Sequence, residues 1–276
     1  MLDLERNTFF KAIEEYFYSE LSEEIDLSSQ VNNITINDYS YCFEFVSCDQ
    51  YYYAKIAKCD QLLLRKNEPI IPFSQKDLAF GKAEYESLIT LDEEVSFSGV
   101  KLIEVVTYLE KTNTLITKKV EGSDLFILLR KASFMSSHKT RYKSLSLMND
   151  LTMFYKEVSL GSDLQSRTFY LEKLKIKIKS YMSVMELGTH GEEDFLSSLS
   201  HGEIENCLYI VGYKGFDIRN VIYCKDGTLA VLDPGKKKLE PIEAYFSRIY
   251  VTLVLIFWGH PFFFFNKTLH DDFLVS

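Results

Sequence analysis

The chain is short of the residues that staple, break or span. Only 5 Pro and 12 Gly occur among 276 residues, so Pro- or Gly-rich linkers are not expected. Five cysteines, at 42, 48, 59, 207 and 224, are odd in number and show no CxxC spacing. That pattern argues against a disulfide framework or zinc knuckle and fits a reducing compartment. The five histidines, at 138, 190, 201, 260 and 270, contain no HxxxH pair, and no zinc site is expected. Positive charge is in the minority, with 31 Lys+Arg against 40 Asp+Glu and a net charge of −9. A nucleic-acid partner held by electrostatics is therefore not expected. No apolar run reaches the roughly 20 residues of a membrane span. The longest, Ile249 to Trp258, ends at Gly259-His260-Pro261 and reads as a buried helix followed by an aromatic corner. The N-terminus, MLDLERN, lacks the basic start of a signal peptide, so the expected location is cytoplasmic.

What is present is apolar and aromatic. Hydrophobic residues make up 46%, including 18 Tyr and 21 Phe, enough for a sizeable core. Phe10, Ile13 and Phe17 share a helical face. Residues 33–58 are rich in β-branched and aromatic types, with Cys48-Asp49-Gln50 as a hairpin turn. Helical spacing returns over 78–91. Further strands are expected at 100–109 and 114–120, with Lys111-Thr112-Asn113 as the turn. Ser123 or Asp124 can cap a helix running through Arg130. Helices are expected over 145–158 and 169–186, a polar insertion over 187–206, and strands at 207–211, 219–223 and 229–233. Asp226-Gly227 makes the last turn, and a final helix starts near Glu243. The fold class read from this order is α+β and bilobal. Residues 1–120 form a small antiparallel-sheet lobe and residues 121–276 a mainly helical lobe, with a cleft between them.

Three polar points lie at the edges of apolar elements. Lys55, inside YYYAKIAK, needs a carboxylate or phosphate partner if its strand is buried. Glu84 on the following helix fits better than Glu86. Alternatively Lys55 sits on the solvent face of an edge strand. Asn220 and Asp233 face each other across a hairpin, and their oxygens suit magnesium, which completes its shell with phosphate and water. Both are also ordinary turn residues.

The succession YYYAKIAK, AEYESLITL, TLITKKVEGSDL and GYKGFDIRNVIYCKDGTLAVLDPG resembles the protein-kinase-like fold, closest to the aminoglycoside and small-molecule phosphotransferase branch, over roughly residues 33–258. The resemblance implies that Lys55 grips the α- and β-phosphates of ATP while Glu84 fixes that lysine. Asn220 and Asp233 would hold Mg²⁺, and Lys118, Lys119, Val120 and Glu121 would frame the adenine through backbone groups. Catalysis in that family is mainly positioning and charge neutralisation.

Departures from the pattern bear on activity. The carboxylate that accepts the substrate's hydroxyl proton in that family stands five residues before the metal-binding Asn, where this chain has Gly215. Asp217 is the candidate displaced base, or else a loop carboxylate paired with Arg219 or Lys214. The nucleotide-covering loop, Asn37-Asp38-Tyr39-Ser40, has no glycine. The segment after Asp233 is too short for peptide docking, which implies a small-molecule or glycan hydroxyl as acceptor. Lys236, Lys237 and Lys238 could attract an anionic one. The function expected is an atypical ATP/Mg-dependent phosphotransferase. The alternative is a pseudokinase that uses the cleft as a regulatory or scaffold module.

Overall fold

Phe9, Phe10, Ile13 and Phe17 recur on one face of helix α1 (Asp3–Leu21) and are all buried. A one-turn helix α2 (Leu27–Gln30), capped by the Asp26 carboxylate, follows. The apolar stripe of α1 packs on an antiparallel sheet of β1 (Thr35–Ile36), β2 (Ser40–Ser47), β3 (Gln50–Ala57), β6 (Thr114–Lys118) and β5 (Val105–Leu109), in that order. Phe17 meets Phe45 and Tyr52 edge-on, with centroids 5.3 and 5.0 Å apart; each such pair contributes about 1 kcal/mol beyond its buried area. The β2–β3 turn needs only Cys48 and Asp49, both at positive φ (45° and 62°), which matches the twist of a tight hairpin. The computed structural model describes residues 3–62, 69–94, 97, 99–134, 138–160, 165–170, 203–215, 217–242, 249 and 252.

Period-two alternation sorts β3 between two environments. Tyr52, Ala54 and Ile56 belong to the core beneath α1, whereas Tyr53 and Lys55 line the cleft. With β2 and β6 on either side, β3 is an interior strand and not an edge. Helix α3 (Gln75–Glu94) begins at a reciprocal cap. Ser74 Oγ accepts the Asp77 N–H, and Asp77 Oδ2 accepts the Ser74 N–H. Asp77 Oδ1 also accepts the Cys59 N–H (2.9 Å), tying the helix to the chain leaving β3.

The strand expected over 100–109 is two strands in different sheets. β4 (Val100–Leu102) pairs in parallel with β11 (Leu229–Val231), in a sheet ordered β4-β11-β10-β7 with β10 (Val221–Cys224) and β7 (Gly122–Asp124). The chain crosses at Ile103-Glu104: the Ile103 N–H goes to Val231 O, while Glu104 O accepts from Lys118 N. Strand β4 thus precedes residue 120 yet belongs to the second sheet. Leu91 and Val100 also pack in the second core, with α4 (Leu125–Phe134) and α5 (His138–Leu160). Asp124 caps α4 through the Ile127 N–H (3.0 Å).

β8 (Gln165–Tyr170), β9 (Glu203–Tyr213) and β12 (Lys237–Pro241) form a third sheet. Phe169 and Tyr170, expected to start a helix, are therefore strand, since they pair with Ile204 and Glu203. The rest of that expected helix, most of the expected insertion, the aromatic corner and most of the final helix lie outside the described residues; Ile249 and Thr252 are helical and buried. Lys237 and Lys238 start β12 and pair with Tyr213 and Gly212. Among the described residues two helices stand beside six strands after residue 121, so a helical majority there rests on residues outside the description. No described helix is long and apolar enough to cross a membrane.

Candidate active site

Lys55 reaches across the cleft. Its Nζ lies 2.7 Å from Glu84 Oε1 and 2.8 Å from Asp233 Oδ2, so strand, helix and hairpin end meet at one ammonium. Glu84 is buried on α3, with Leu88 and Leu91 four and seven residues further along the same face. Asp233 follows β11, and its partner loop is fixed by the Leu232 N–H to Asn220 O (2.8 Å). Burial alone would push the Lys55 ammonium down, but the two carboxylates outweigh it and raise its pKa. Burial, with Asp233 adding negative charge, pushes Glu84 up to about 7 despite the ammonium. One ammonium thus faces two carboxylates, and above about pH 7, where Glu84 is ionised, the cluster carries a net negative charge.

The surplus negative charge suits a cation. Asn220 Nδ2 donates to Gly215 O (2.8 Å) and, at 3.4 Å, to Asp233 O. This orientation leaves Oδ1 with no partner among the described residues. Asp233 Oδ1 accepts the Gly235 N–H (2.9 Å), which orients the carboxylate. Hard oxygen donors with excess negative charge fit Mg²⁺ and not a thiophilic metal. The described residues contain no group of three His, Cys, Asp or Glu able to hold a metal.

The loop before Asn220 is closed over its neighbour. The Gly215 N–H donates to Pro234 O (2.7 Å). A Cβ at 215 would lie 2.2 Å from Asp233 O and 2.7 Å from both Gly235 N and Pro234 C. No side chain fits there unless that backbone moves. Asp217 lies nearby but is committed. Its Oδ1 accepts from Arg219 N (2.9 Å), Arg219 Nε (3.1 Å) and Thr252 Oγ1 (3.3 Å), and its Oδ2 accepts from Arg219 Nη2 (2.7 Å). Burial would raise its pKa, yet these donors hold it below the ordinary carboxylate value. Asp217 also caps the short 3-10 turn 218–220 that delivers Asn220.

Between the lobes lies a cleft of about 790 Å³, lined by Tyr53, Lys55, Val120, Asn220, Ile222 and Asp233, among others. The side chains of 118–121 are mostly engaged in ion pairs: Lys118 with Glu104, Lys119 with Glu44 (2.6 Å), and Glu121 with Lys225. The Lys118 and Lys119 N–H groups are bonded to Glu104 O and Tyr51 O, both at 2.9 Å. The Val120 N–H has no partner among the described residues. The 37–40 turn closes on itself through the Asn37 N–H to Ser40 O (2.8 Å) and is held by the Lys58 N–H to Tyr39 O (2.8 Å). Its Tyr39 ring packs against Phe80 of α3. Sequence reading missed Tyr53 and Ile222 as lining residues. Their signal was the two-residue step from Lys55 and from Asn220, which puts them on the same faces.

No protein family and no curated protein matches the chain by sequence. Among solved structures, the GDP complex of aminoglycoside 2'-phosphotransferase-IIIa is similar over 97% of this chain and 88% of that one, with a TM-score of 0.51 and 9% identity. The fold is protein-kinase-like. Aminoglycoside phosphotransferase APH(4)-Ia (TM-score 0.49, 12% identity, covering 95% of this chain and 81% of that one) and LicA in complex with AMP (0.48, 11%, 96% and 79%) are similar at slightly lower scores. At these identities the likeness is one of fold, and chemistry must be argued from the site. Lys55 lies on the first sheet and Glu84 on α3, Asn220 and Asp233 adjoin β10 and β11 of the second sheet, and residues 119–121 join β6 of the first sheet to β7 of the second.

Proposed function

We propose that the chain binds Mg·ATP in this cleft and transfers its γ-phosphoryl group to a hydroxyl of a small molecule or glycan. The observation that carries the reading is the Lys55 ammonium held within 2.8 Å of both Glu84 and Asp233 at the wall of the cleft. An ammonium so placed serves the α- and β-phosphates, and Glu84 keeps it there when Asp233 turns to the metal. Asn220 Oδ1 and the Asp233 carboxylate would hold Mg²⁺, which when bound supplies positive charge to the phosphate oxygens. The free Val120 N–H offers a hydrogen bond to the base edge, Tyr53 a ring on which the base can stack, and Ile222 an apolar wall. The acceptor oxygen attacks the γ-phosphorus as the bond to the bridging oxygen of ADP breaks.

In this proposal the acceptor's proton passes to solvent as the new P–O bond forms, since no carboxylate stands at 215. Lack of a base costs typically about 10²–10⁴-fold, less where the transition state is loose. Asp217 could take that part only by releasing Arg219; as it stands it aims the Arg219 guanidinium along the cleft wall. Five free cysteines and an ATP donor suit a reducing, nucleotide-rich cytoplasm.

A second reading, a regulatory module that binds nucleotide without transferring phosphate, is favoured by the backbone packing at Gly215 and the commitment of Asp217. Calorimetric titration with Mg·ATP, followed by transfer of labelled γ-phosphate to a panel of aminoglycosides, sugars and amino-alcohols, separates the two. Binding with transfer supports the phosphotransferase, binding alone supports the module, and no binding sinks both.

A further inference from the structure

We infer that Asn113 is a positioning residue that sets the distance between Lys55 and Glu84; the consequence for nucleotide affinity rests on the function proposed above. Asn113 is fully buried, and its backbone is left-handed (φ 49°, ψ 39°), a conformation that asparagine tolerates better than most residues. Its side chain is shared between the two elements that carry the ion pair. Nδ2 donates to Ala57 O (2.6 Å) at the end of β3 and to Asp77 O (2.9 Å) in the first turn of α3. Oδ1 accepts from Tyr108 Oη (2.7 Å), and the Asn113 carbonyl accepts the Ala57 N–H (3.2 Å).

The spacing makes this a ruler. Ala57 is two residues beyond Lys55 on an extended strand, and Asp77 is two helical turns before Glu84 on the same helix face. One amide therefore ties strand to helix at a fixed offset from the charged pair. Space for it is reserved: a Cβ on Gly81, which lies inside α3, would come 1.9 Å from Asn113 Oδ1 and 3.2 Å from Tyr108 Oη. A glycine costs an α-helix about 1 kcal/mol relative to alanine, and here the missing Cβ lets α3 approach the amide. Tyr108 extends the contact by stacking on Tyr85, one residue after Glu84, with centroids 5.4 Å apart and planes 17° apart.

The experiment uses Asn113→Gly, which accepts the left-handed backbone and deletes only the amide. Gly81→Ala serves as a second variant that intrudes on the amide from the helix side. Helix content and Tm establish that each is folded. The first readout is the rate at which an amine-acetylating reagent modifies Lys55, measured by peptide mass spectrometry, with Lys101 as internal reference. The second is Mg·ATP affinity. In both variants Lys55 is expected to react severalfold faster relative to Lys101, and Mg·ATP to bind about tenfold more weakly, as loss of two hydrogen bonds in one tie implies. Because Asn113→Gly vacates the space, adding Gly81→Ala to it should do no further harm. Should wild type bind no nucleotide while Lys55 reactivity still rises, the ruler stands and the proposed function falls. Unchanged Lys55 reactivity in either folded variant overturns the inference, as would strictly additive damage in the double variant.

Discussion

The two sides of the Asp233 loop are built differently. On its side-chain face Lys55, Glu84 and Asp233 meet from three separate elements, with charge opposed to charge at 2.7 and 2.8 Å. On its backbone face packs Gly215, the position at which the family resemblance implies a carboxylate, and nearby Asp217 is spent on Arg219. Holding a half-buried ammonium between two carboxylates carries a desolvation cost, whereas a tight backbone crossing needs only a glycine and one hydrogen bond. Within the proposed function the contrast separates binding from transfer: the groups that would hold a triphosphate are in place, whereas no carboxylate at 215 or 217 is free to take a proton from an acceptor.

The largest expected effect breaks the charged side. Asp233→Ala removes one of the two anions on Lys55 and, in the proposed function, a ligand to Mg²⁺, so Mg-dependent ATP binding should disappear in a calorimetric titration. Unchanged affinity would mean that this carboxylate holds no metal. Next comes the bare side. Gly215→Asp places a carboxylate where the family resemblance implies one, but its Cβ would lie 2.2 Å from Asp233 O. A loss of activity is expected in place of a gain, with a Tm drop of roughly 2–10 °C from about 1–3 kcal/mol of overpacking. A gain in turnover would show that the loop opens readily.

Asp217→Asn should change turnover by less than about tenfold, the low end of what a general base contributes, while lowering Tm because the pairing with Arg219 is weakened. A larger kinetic loss at constant Tm would make Asp217 the base after all. The smallest effect is a pH slope. The folded Glu84 carboxyl keeps its proton up to about 7, whereas the ordinary value is 4.5. The native state therefore binds more protons across that window, and this group's contribution to stability falls as pH rises from 4.5 to 7. Denaturant titrations should show a shallower decline in Glu84→Gln; identical slopes would mean that Glu84 is already ionised.

Much of this arrangement was legible in residue order. Lys55, Asn220 and Asp233 could be picked out because each lies at the edge of an apolar element, and Glu84 as the best-placed partner for the lysine, while the sequence left open whether Lys55 faced solvent from an edge strand. The crossing of β4 into the second sheet was not legible, because VKLIEVVTYL is one run of strand-forming residues with no Gly or Pro to mark a break, and the change of partner happens through backbone bonds at Ile103 and Glu104. Nor could the sequence reveal that Gly215 is required by packing: a lost carboxylate and a glycine selected for close approach look the same in one dimension. Asn113 read as a turn residue, which it is, but two of its three side-chain bonds reach segments 56 and 36 residues away.

The most direct measurement is a crystal structure with a non-hydrolysable ATP analogue and Mg²⁺ at saturating concentration. The account expects phosphate oxygens within hydrogen-bonding reach of Lys55 Nζ, the ion between Asn220 Oδ1 and Asp233, and the γ-phosphate directed toward the Gly215 backbone. An empty cleft, or a nucleotide bound elsewhere with Lys55 still bridging Glu84 and Asp233, would contradict it.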